Sequence, residues 1–425
     1  MKEHHCLHLV QQQMYCEDVA LAKIAEQCGT PTYIYSKAAI EKNWCDLSTA
    51  FKHQRYQIHY AVKACSNIAI LYMLARLGSG FDVVSGGELE RVRRSGGDIS
   101  KTVFSGVGKQ QWEIEAALRG GIGCINIESE SELLLIEKVA SYLNIVAAVA
   151  IRVNPDIDAQ THPYIATGLH HNKFGVDAQQ AIELYQKIRR SPFLQEHGIA
   201  CHIGSQIMSP EPYAKALQQL VAIADQLCKD GLQITHIDIG GGFGIRYQDE
   251  TPPTISDYAT VVNDIIADCP YRLILEPGRF IVGNAGVLLT QVIHLKQTYQ
   301  KYFAVVDAAM NDLLRPSLYE AWHDIVAVKA HKGECRDYDI VGPVCESADV
   351  LGYQRRLALY PGDLLAILSA GAYGFSMSGN YNTRTKPAEV LVDGDNFHII
   401  RCRESSLDMI EMECIPWENN DLCKE

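Results

Sequence analysis

Five short stretches of the chain carry residue types that seldom converge without a chemical reason. Lys63 follows the apolar run IHYAV, and Asp82 and Ser85 close GFDVVS. His202 and Ser205 lie in CHIGSQ, Gly240, Gly241 and Gly242 interrupt IDIGGGFG, and Glu276, Gly278 and Arg279 lie in LEPGR. A lysine rooted in a dry site has a lowered pKa and becomes a nucleophilic amine. Consecutive glycines turn backbone N–H groups toward a phosphate. An imidazole offers a flat face for stacking, and a buried carboxylate keeps a ring nitrogen protonated. Singly, each has a plainer reading: a solvated cation, a satisfied core histidine, a tight turn, a glutamate paired with Arg279. Together they are the parts needed to hold pyridoxal 5'-phosphate. A carboxylate against the ring nitrogen makes the ring a strong electron sink, as decarboxylation requires; a cationic partner favours racemisation.

Such residues must be delivered to one place. Eight runs of apolar and β-branched residues recur, starting at Gln57, Gly80, Lys101, Cys124, Ile145, Ile199, His236 and Arg272, each followed by a helical pattern or a turn. Their near-continuous apolar character predicts parallel strands buried on both faces. ESELLLIEKVASYL begins after Ser129, an N-cap with Glu132 three residues on; DAQQAIELYQKIRR stops before Pro192; the helix after Pro210 ends at Gly231. Eight alternations predict an α/β fold, a (β/α)8 TIM barrel over residues 31–282, in which catalytic groups sit at the C-terminal strand ends. The glycine run follows the seventh strand, where this architecture usually places phosphate, whereas a doubly wound sheet would want it after the first. Beyond Gly283 strands follow one another with few helices between them, as in GVLLTQVIHLKQT and PAEVLVDGDNFHIIR. They predict a second, antiparallel β-barrel-like domain built from 283–425 with residues 1–30.

Composition narrows the partners. The 425 residues carry 38 Lys and Arg against 51 Asp and Glu, a formal charge of −13. That excess and the lack of a basic block argue against nucleic acid, which demands a cationic surface. No apolar run approaches a membrane span and the first residues lack a signal-peptide core, so the expectation is a cytoplasmic chain with reduced thiols. The fourteen cysteines form no C-x-x-C pair, and no metal is expected. His4, His5 and His8 read as part of a frayed terminus.

With these residues in view the chain resembles the fold type III (alanine racemase/ornithine decarboxylase-like) pyridoxal-phosphate enzymes. The match runs from about Pro31 to Val392 through YAVKACSN, HIGSQI, DIGGGFGI and LEPGRFIVGNAG. RPSLYEAWHDI, GPVCESADVL and GAYGFSMSGNYNTR resemble the diaminopimelate-decarboxylating branch in particular. The resemblance implies conversion of meso-2,6-diaminopimelate to L-lysine and carbon dioxide. By position it implies Lys63 as the cofactor-linking lysine, His202 as the imidazole on the ring, and Asp82 among the cofactor contacts. Ser205, Gly240, Gly241 and Gly242 fall in the phosphate-binding stretches, Gly278 and Arg279 are among the cofactor-binding residues, and Glu276 meets the ring nitrogen. Arg279, Arg315 and Tyr319 match substrate-binding positions, and Tyr373 touches both cofactor and substrate. Cys345, as proton donor, and Glu346, as ligand of the distal amine, are implied to come from the second subunit of a homodimer with shared active sites. The arginines suit a distal carboxylate, which a bidentate fork recognises. The rival readings are a related basic amino-acid or carboxynorspermidine decarboxylase and a non-catalytic cofactor carrier. The sequence departs from its relatives at Cys65, where ACSN replaces ANSN or ANPN.

Overall fold

The computed structural model describes residues 6–52, 55–158, 172–415 and 417. It comprises two compact units, Ile40–Gly283 and Met1–Ala39 with Asn284–Glu425.

The first unit is a closed barrel of eight parallel strands: β1 (Tyr56–Ala61), β2 (Gly80–Val83), β3 (Thr102–Phe104), β4 (Cys124–Ile127), β5 (Ala147–Arg152), β6 (Leu194–Ala200), β7 (His236–Asp238) and β8 (Arg272–Leu275). Each pairs with its neighbour in sequence, and β8 pairs with β1. The absence of polar alternation has a physical cause. Helices cover the outer face and side chains fill the inner one, so every residue of β2, β3, β4 and β7 is buried. The helices are α1 (Ile68–Arg76), α2 (Gly86–Arg94), α3 (Gln111–Arg119), α4 (Glu130–Leu143), α5 (Ala178–Arg190), α6 (Glu211–Lys229), α7 (Ile255–Ile266) and the short α8 (Arg279–Val282).

Local chemistry sets the helix limits. Ser85, Ser129, Asp177 and Thr254 each accept the N–H of the residue three positions on, a cap worth about 1 kcal/mol. Beyond α6, Gly231 takes φ +87°, a conformation that costs glycine nothing.

The second unit holds a nine-stranded, mostly antiparallel sheet. Its centre is Thr32–Ser36, buried at every position. It runs antiparallel to Gly286–Thr298 on one side and parallel to Ala388–Asp393 on the other. Tyr33 donates to Asp312 O (2.7 Å) and Tyr35 to Glu389 Oε1 (2.8 Å). Residues 31–39 therefore belong with the sheet rather than with the barrel in which a boundary at 31 would put them. TYIYS is apolar enough to be sandwiched, and the strands on either side satisfy its backbone. One further pairing, Lys301–Val306 with Arg336–Val341, is also parallel. No helix of the described residues is long and apolar enough to cross a membrane.

Candidate active site

Lys63 sits in a 3-10 turn directly after β1. Its Nζ donates to Asp82 Oδ2 at 2.5 Å; the lysine side chain is 36% exposed, and that of the aspartate, inside β2, is wholly buried. A carboxylate in a dry barrel needs a cation, and the pair gives it one while leaving the amine reachable. Gly278, at the start of α8, lets this turn pack closely, because a Cβ there would lie 2.9 Å from Ala64 Cβ.

The loop after β7 is shaped by its glycines. Gly240 (φ +69°) and Gly242 (φ +101°) take left-handed conformations. A Cβ at Gly240 would lie 2.5 Å from His202 Nδ1, at Gly241 2.0 Å from Glu276 O, and at Gly242 2.3 Å from Gly204 O. Tyr213 of α6 supports the loop from beneath by donating to Gly241 O (2.6 Å). It packs with Phe243 and Tyr258 at ring-centroid separations of 5.3 and 5.4 Å.

His202, following β6, accepts the Gly241 N–H on Nδ1 (3.3 Å), which places the ring hydrogen on Nε2. Burial, with the charges of Arg152 and Lys63, pushes this imidazole well below its ordinary pKa. The ring is neutral near pH 7 and presents an uncharged face.

Glu276 follows β8, and its N–H donates to Gly240 O (2.8 Å). Its neighbour across the β7–β8 pairing is Asp238, and the plainer reading of a Glu276–Arg279 pair does not hold. Arg279 instead donates to Ser205 Oγ (2.8 Å) and Tyr247 OH (2.5 Å). Burial, then the charges of Asp238 and Asp82, raises the Glu276 carboxyl well above the usual range, with Lys63 opposing.

The remaining expected residues lie in the sheet unit. Arg315 and Tyr319 open and close one short helix. Arg315 is buried and its Nη1 donates to His323 Nε2 (2.8 Å). A guanidinium only donates, so Nε2 accepts and Nδ1 donates to Leu368 O (2.8 Å). Cys345 and Glu346 are exposed on one turn. The Cys345 N–H donates to Asn382 Oδ1 (2.7 Å), and Tyr381 OH donates to Glu346 Oε2 (3.4 Å). Asp349 pins that turn by accepting the N–H groups of Val344 (2.8 Å) and Met310 (2.6 Å). Tyr373 is half-buried and takes φ +56°.

Within the barrel the structure thus gathers Lys63, Asp82, His202, Ser205, Gly240–Gly242, Glu276, Gly278 and Arg279 at strand ends and the loops after them. Sequence reasoning passed over Asp238, Tyr213 and Tyr247, which hold these groups in place, and Asn382, which holds the Cys345 turn of the sheet unit. Asp238 had a signal, since it stands two residues before the glycines at the end of β7. Tyr213 and Tyr247 come from a helix and a separate loop and had none. His8 lies in the strand Leu7–Val10, while His4 and His5 fall outside the described residues. Among the described residues no cluster of His, Cys, Asp or Glu is arranged to hold a metal.

An amine held at the end of β1, a glycine cradle that any Cβ would fill, a neutral imidazole and a buried carboxyl fit a phosphorylated pyridine aldehyde. They define a pyridoxal-phosphate enzyme built on a barrel. The family model for the pyridoxal-binding domain of pyridoxal-dependent decarboxylases matches residues 37–283. The diaminopimelate decarboxylase of Vibrio cholerae is 50% identical over 404 residues, covering 95% of this chain and 97% of that relative. The crystal structure of the Helicobacter pylori diaminopimelate decarboxylase, complexed with L-lysine, matches at 42% identity with a TM-score of 0.90, over 92% of this chain and 99% of that one. That of M. jannaschii, also with L-lysine, matches at 36% identity with a TM-score of 0.93, over 97% and 98%. The chain belongs to the diaminopimelate decarboxylase family.

Proposed function

We infer that the chain is a carboxy-lyase that converts meso-2,6-diaminopimelate to L-lysine and carbon dioxide, the lysine-forming step of lysine biosynthesis. The observation that carries the reading is the barrel mouth itself, where a paired lysine and a glycine cradle meet in a chain half identical to known diaminopimelate decarboxylases. When bound, pyridoxal phosphate supplies the electron sink for the breaking carbon–carbon bond.

The chain's own residues do the rest. Lys63 carries the cofactor, and Asp82 aims its Nζ. Gly240, Gly241 and Gly242 give backbone N–H groups to the phosphate, with Ser205 beside them. His202 lays an uncharged ring against the cofactor, and Glu276 meets its nitrogen. Arg279 and Arg315 grip the distal carboxylate, aided by Tyr319 and Tyr373, and Glu346 holds the distal ammonium. Cys345 returns a proton to the α-carbon after carbon dioxide has left. Cys345 and Glu346 serve the barrel of a second copy, so the working unit is a homodimer, and it works in the cytoplasm.

The methyl of Gly241→Ala has no room beside the Glu276 carbonyl, which is backbone and cannot swing away. This variant is expected to bind pyridoxal phosphate about tenfold more weakly or worse, equivalent to ~1.4 kcal/mol, as measured by titration of cofactor absorbance. Wild-type affinity would remove the glycine loop from the cofactor site.

Substrate choice tests the function. Carbon dioxide release from meso-diaminopimelate is expected to exceed that from L-lysine or L-ornithine by about a hundredfold or more, because without a distal carboxylate the arginine cluster is left uncompensated. Added pyridoxal phosphate is expected to raise the rate of under-loaded enzyme. Equal or faster release from ornithine would favour the sister decarboxylases, and a cofactor-bearing protein with no turnover on any amino acid would favour the carrier.

A further inference from the structure

Asp238 has no part in the reading above, yet it is buried at the centre of the site, at the end of β7. Its Oδ1 accepts the Gly240 N–H at 2.8 Å. Gly240 O in turn accepts the Glu276 N–H at 2.8 Å. Asp238 stands opposite Ile274 in the β7–β8 pairing, so Glu276, two residues beyond Ile274, is its diagonal neighbour on the same face. The three residues therefore link the glycine loop to the end of β8.

Two ionised carboxylates have no hydrogen to place between them. Asp238 Oδ2 and Glu276 Oε1 both meet no donor among the described residues. Buried acceptors left in that state are costly, and two like charges side by side add to the cost. One proton between them satisfies both oxygens at once, as in carboxyl pairs that titrate as a unit. The surroundings favour that proton. Glu276 is faced by Asp82 from β2 and by Lys63 after β1, and Asp82 and Asn126 of β4 face Asp238. The thiols of Cys124 and Cys201 beside Asp238 are themselves pushed up by burial and bring no positive charge. The cations nearby are already engaged: Lys63 by Asp82, Lys109 by Glu132 and Arg152 by Glu128. Burial raises both carboxyls.

We propose that Asp238 is a positioning residue for Glu276: one proton is shared between the two carboxyl groups, and through Gly240 the same aspartate ties the phosphate loop to the carboxyl that meets the cofactor's ring nitrogen. When the ring nitrogen arrives with its own proton, Glu276 faces it as a carboxylate and Asp238 takes the shared proton, donating it back as a hydrogen bond. No net charge beyond −1 accumulates on the pair. The proposal rests on Glu276 being the ring-nitrogen partner.

The test uses the full-length chain, with and without pyridoxal phosphate, in wild type and in Glu276→Gln, Asp238→Asn and Asp238→Ala. Infrared spectroscopy follows the carbonyl stretch of protonated carboxyl groups through a pH titration of the cofactor-free protein. A component of this band is expected to be lost in Glu276→Gln, and its midpoint to move down by about one pH unit or more in Asp238→Asn, which removes the neighbouring charge. Asparagine also keeps an acceptor for the Gly240 N–H, and alanine does not. Pyridoxal phosphate affinity is therefore expected to fall about tenfold or more in Asp238→Ala and less than about threefold in Asp238→Asn. An unmoved midpoint in Asp238→Asn, with the band still lost in Glu276→Gln, overturns the shared proton. Should Asp238→Asn not fold, Glu276→Gln alone decides, because an unchanged band there means the pair holds no proton. Separately, cofactor absorbance and affinity that are identical in Glu276→Gln and wild type would remove Glu276 from the ring nitrogen, whatever the infrared result.

Discussion

Lys63→Ala leaves less than about one thousandth of wild-type carbon dioxide release, a loss of roughly 4 kcal/mol or more of transition-state stabilisation. It also abolishes the absorbance of covalently held cofactor. The variant carries a second, separable effect. Asp82 is wholly buried and its Oδ2 receives the Lys63 ammonium at 2.5 Å. Without the lysine that oxygen is stranded, at a cost of about 1–3 kcal/mol, softened because the lysine is over a third exposed. Chemical denaturation measures this loss. Combining Lys63→Met with Asp82→Asn removes the stranded charge, so stability should return while activity does not. Activity that survives in Lys63→Ala, or that returns with stability in the double variant, sinks the assignment of Lys63 as the linking amine.

Cys345→Ala is the second large effect. It should slow turnover about a hundredfold or more and leave cofactor affinity and absorbance near wild type, because the thiol stands on a turn of the sheet unit and acts after carbon dioxide has left. The backbone around it is held independently of the side chain, through Asn382 and Asp349, so the alanine variant keeps the local geometry. A loss smaller than about tenfold, or ~1.4 kcal/mol, means that the proton comes from another group. Running the reaction in heavy water and locating the deuterium in the lysine product shows whether the α-carbon is still protonated on one face. A mixture of configurations in the variant would mark Cys345 as the group that controls that face.

The barrel was legible because parallel strands and capped helices leave dense local signals. GFDV and CINI carry no polar alternation, and Ser129 announces α4 before it begins. The strand Thr32–Ser36 was harder to place. TYIYS reads as a buried strand, but whether its neighbours lie in the barrel or some 250 and 350 residues further on is a matter of tertiary pairing, which local pattern does not encode. The candidate site divides in the same way. Lys63, the glycines and Glu276 carry type and spacing that suggest their chemistry. The residues that hold them do not: Tyr213 is one buried position of an amphipathic helix, and Tyr247 lies in an irregular loop. Glu276 shows why a residue type is not yet a role. Its neighbour three residues on is an arginine, the obvious partner by sequence, yet that arginine turns to Ser205 and Tyr247 and the glutamate stands diagonally across the strand pairing from a second acid.

The placing of Thr32–Ser36 between Gly286–Thr298 and Ala388–Asp393 sets an order of assembly during synthesis. This strand leaves the ribosome before the barrel, and both of its partners leave after it. Everything between Ile40 and Gly283, the entire barrel, is made in the interval. At about 5–20 residues per second, that interval lasts tens of seconds. Throughout it an apolar strand with two open edges waits beside a barrel able to fold from its own contacts. A nascent chain stalled after the barrel would therefore expose TYIYS as a sticky segment, the kind of exposure that recruits chaperones. Release of Ala388–Asp393 is the event that closes its second edge.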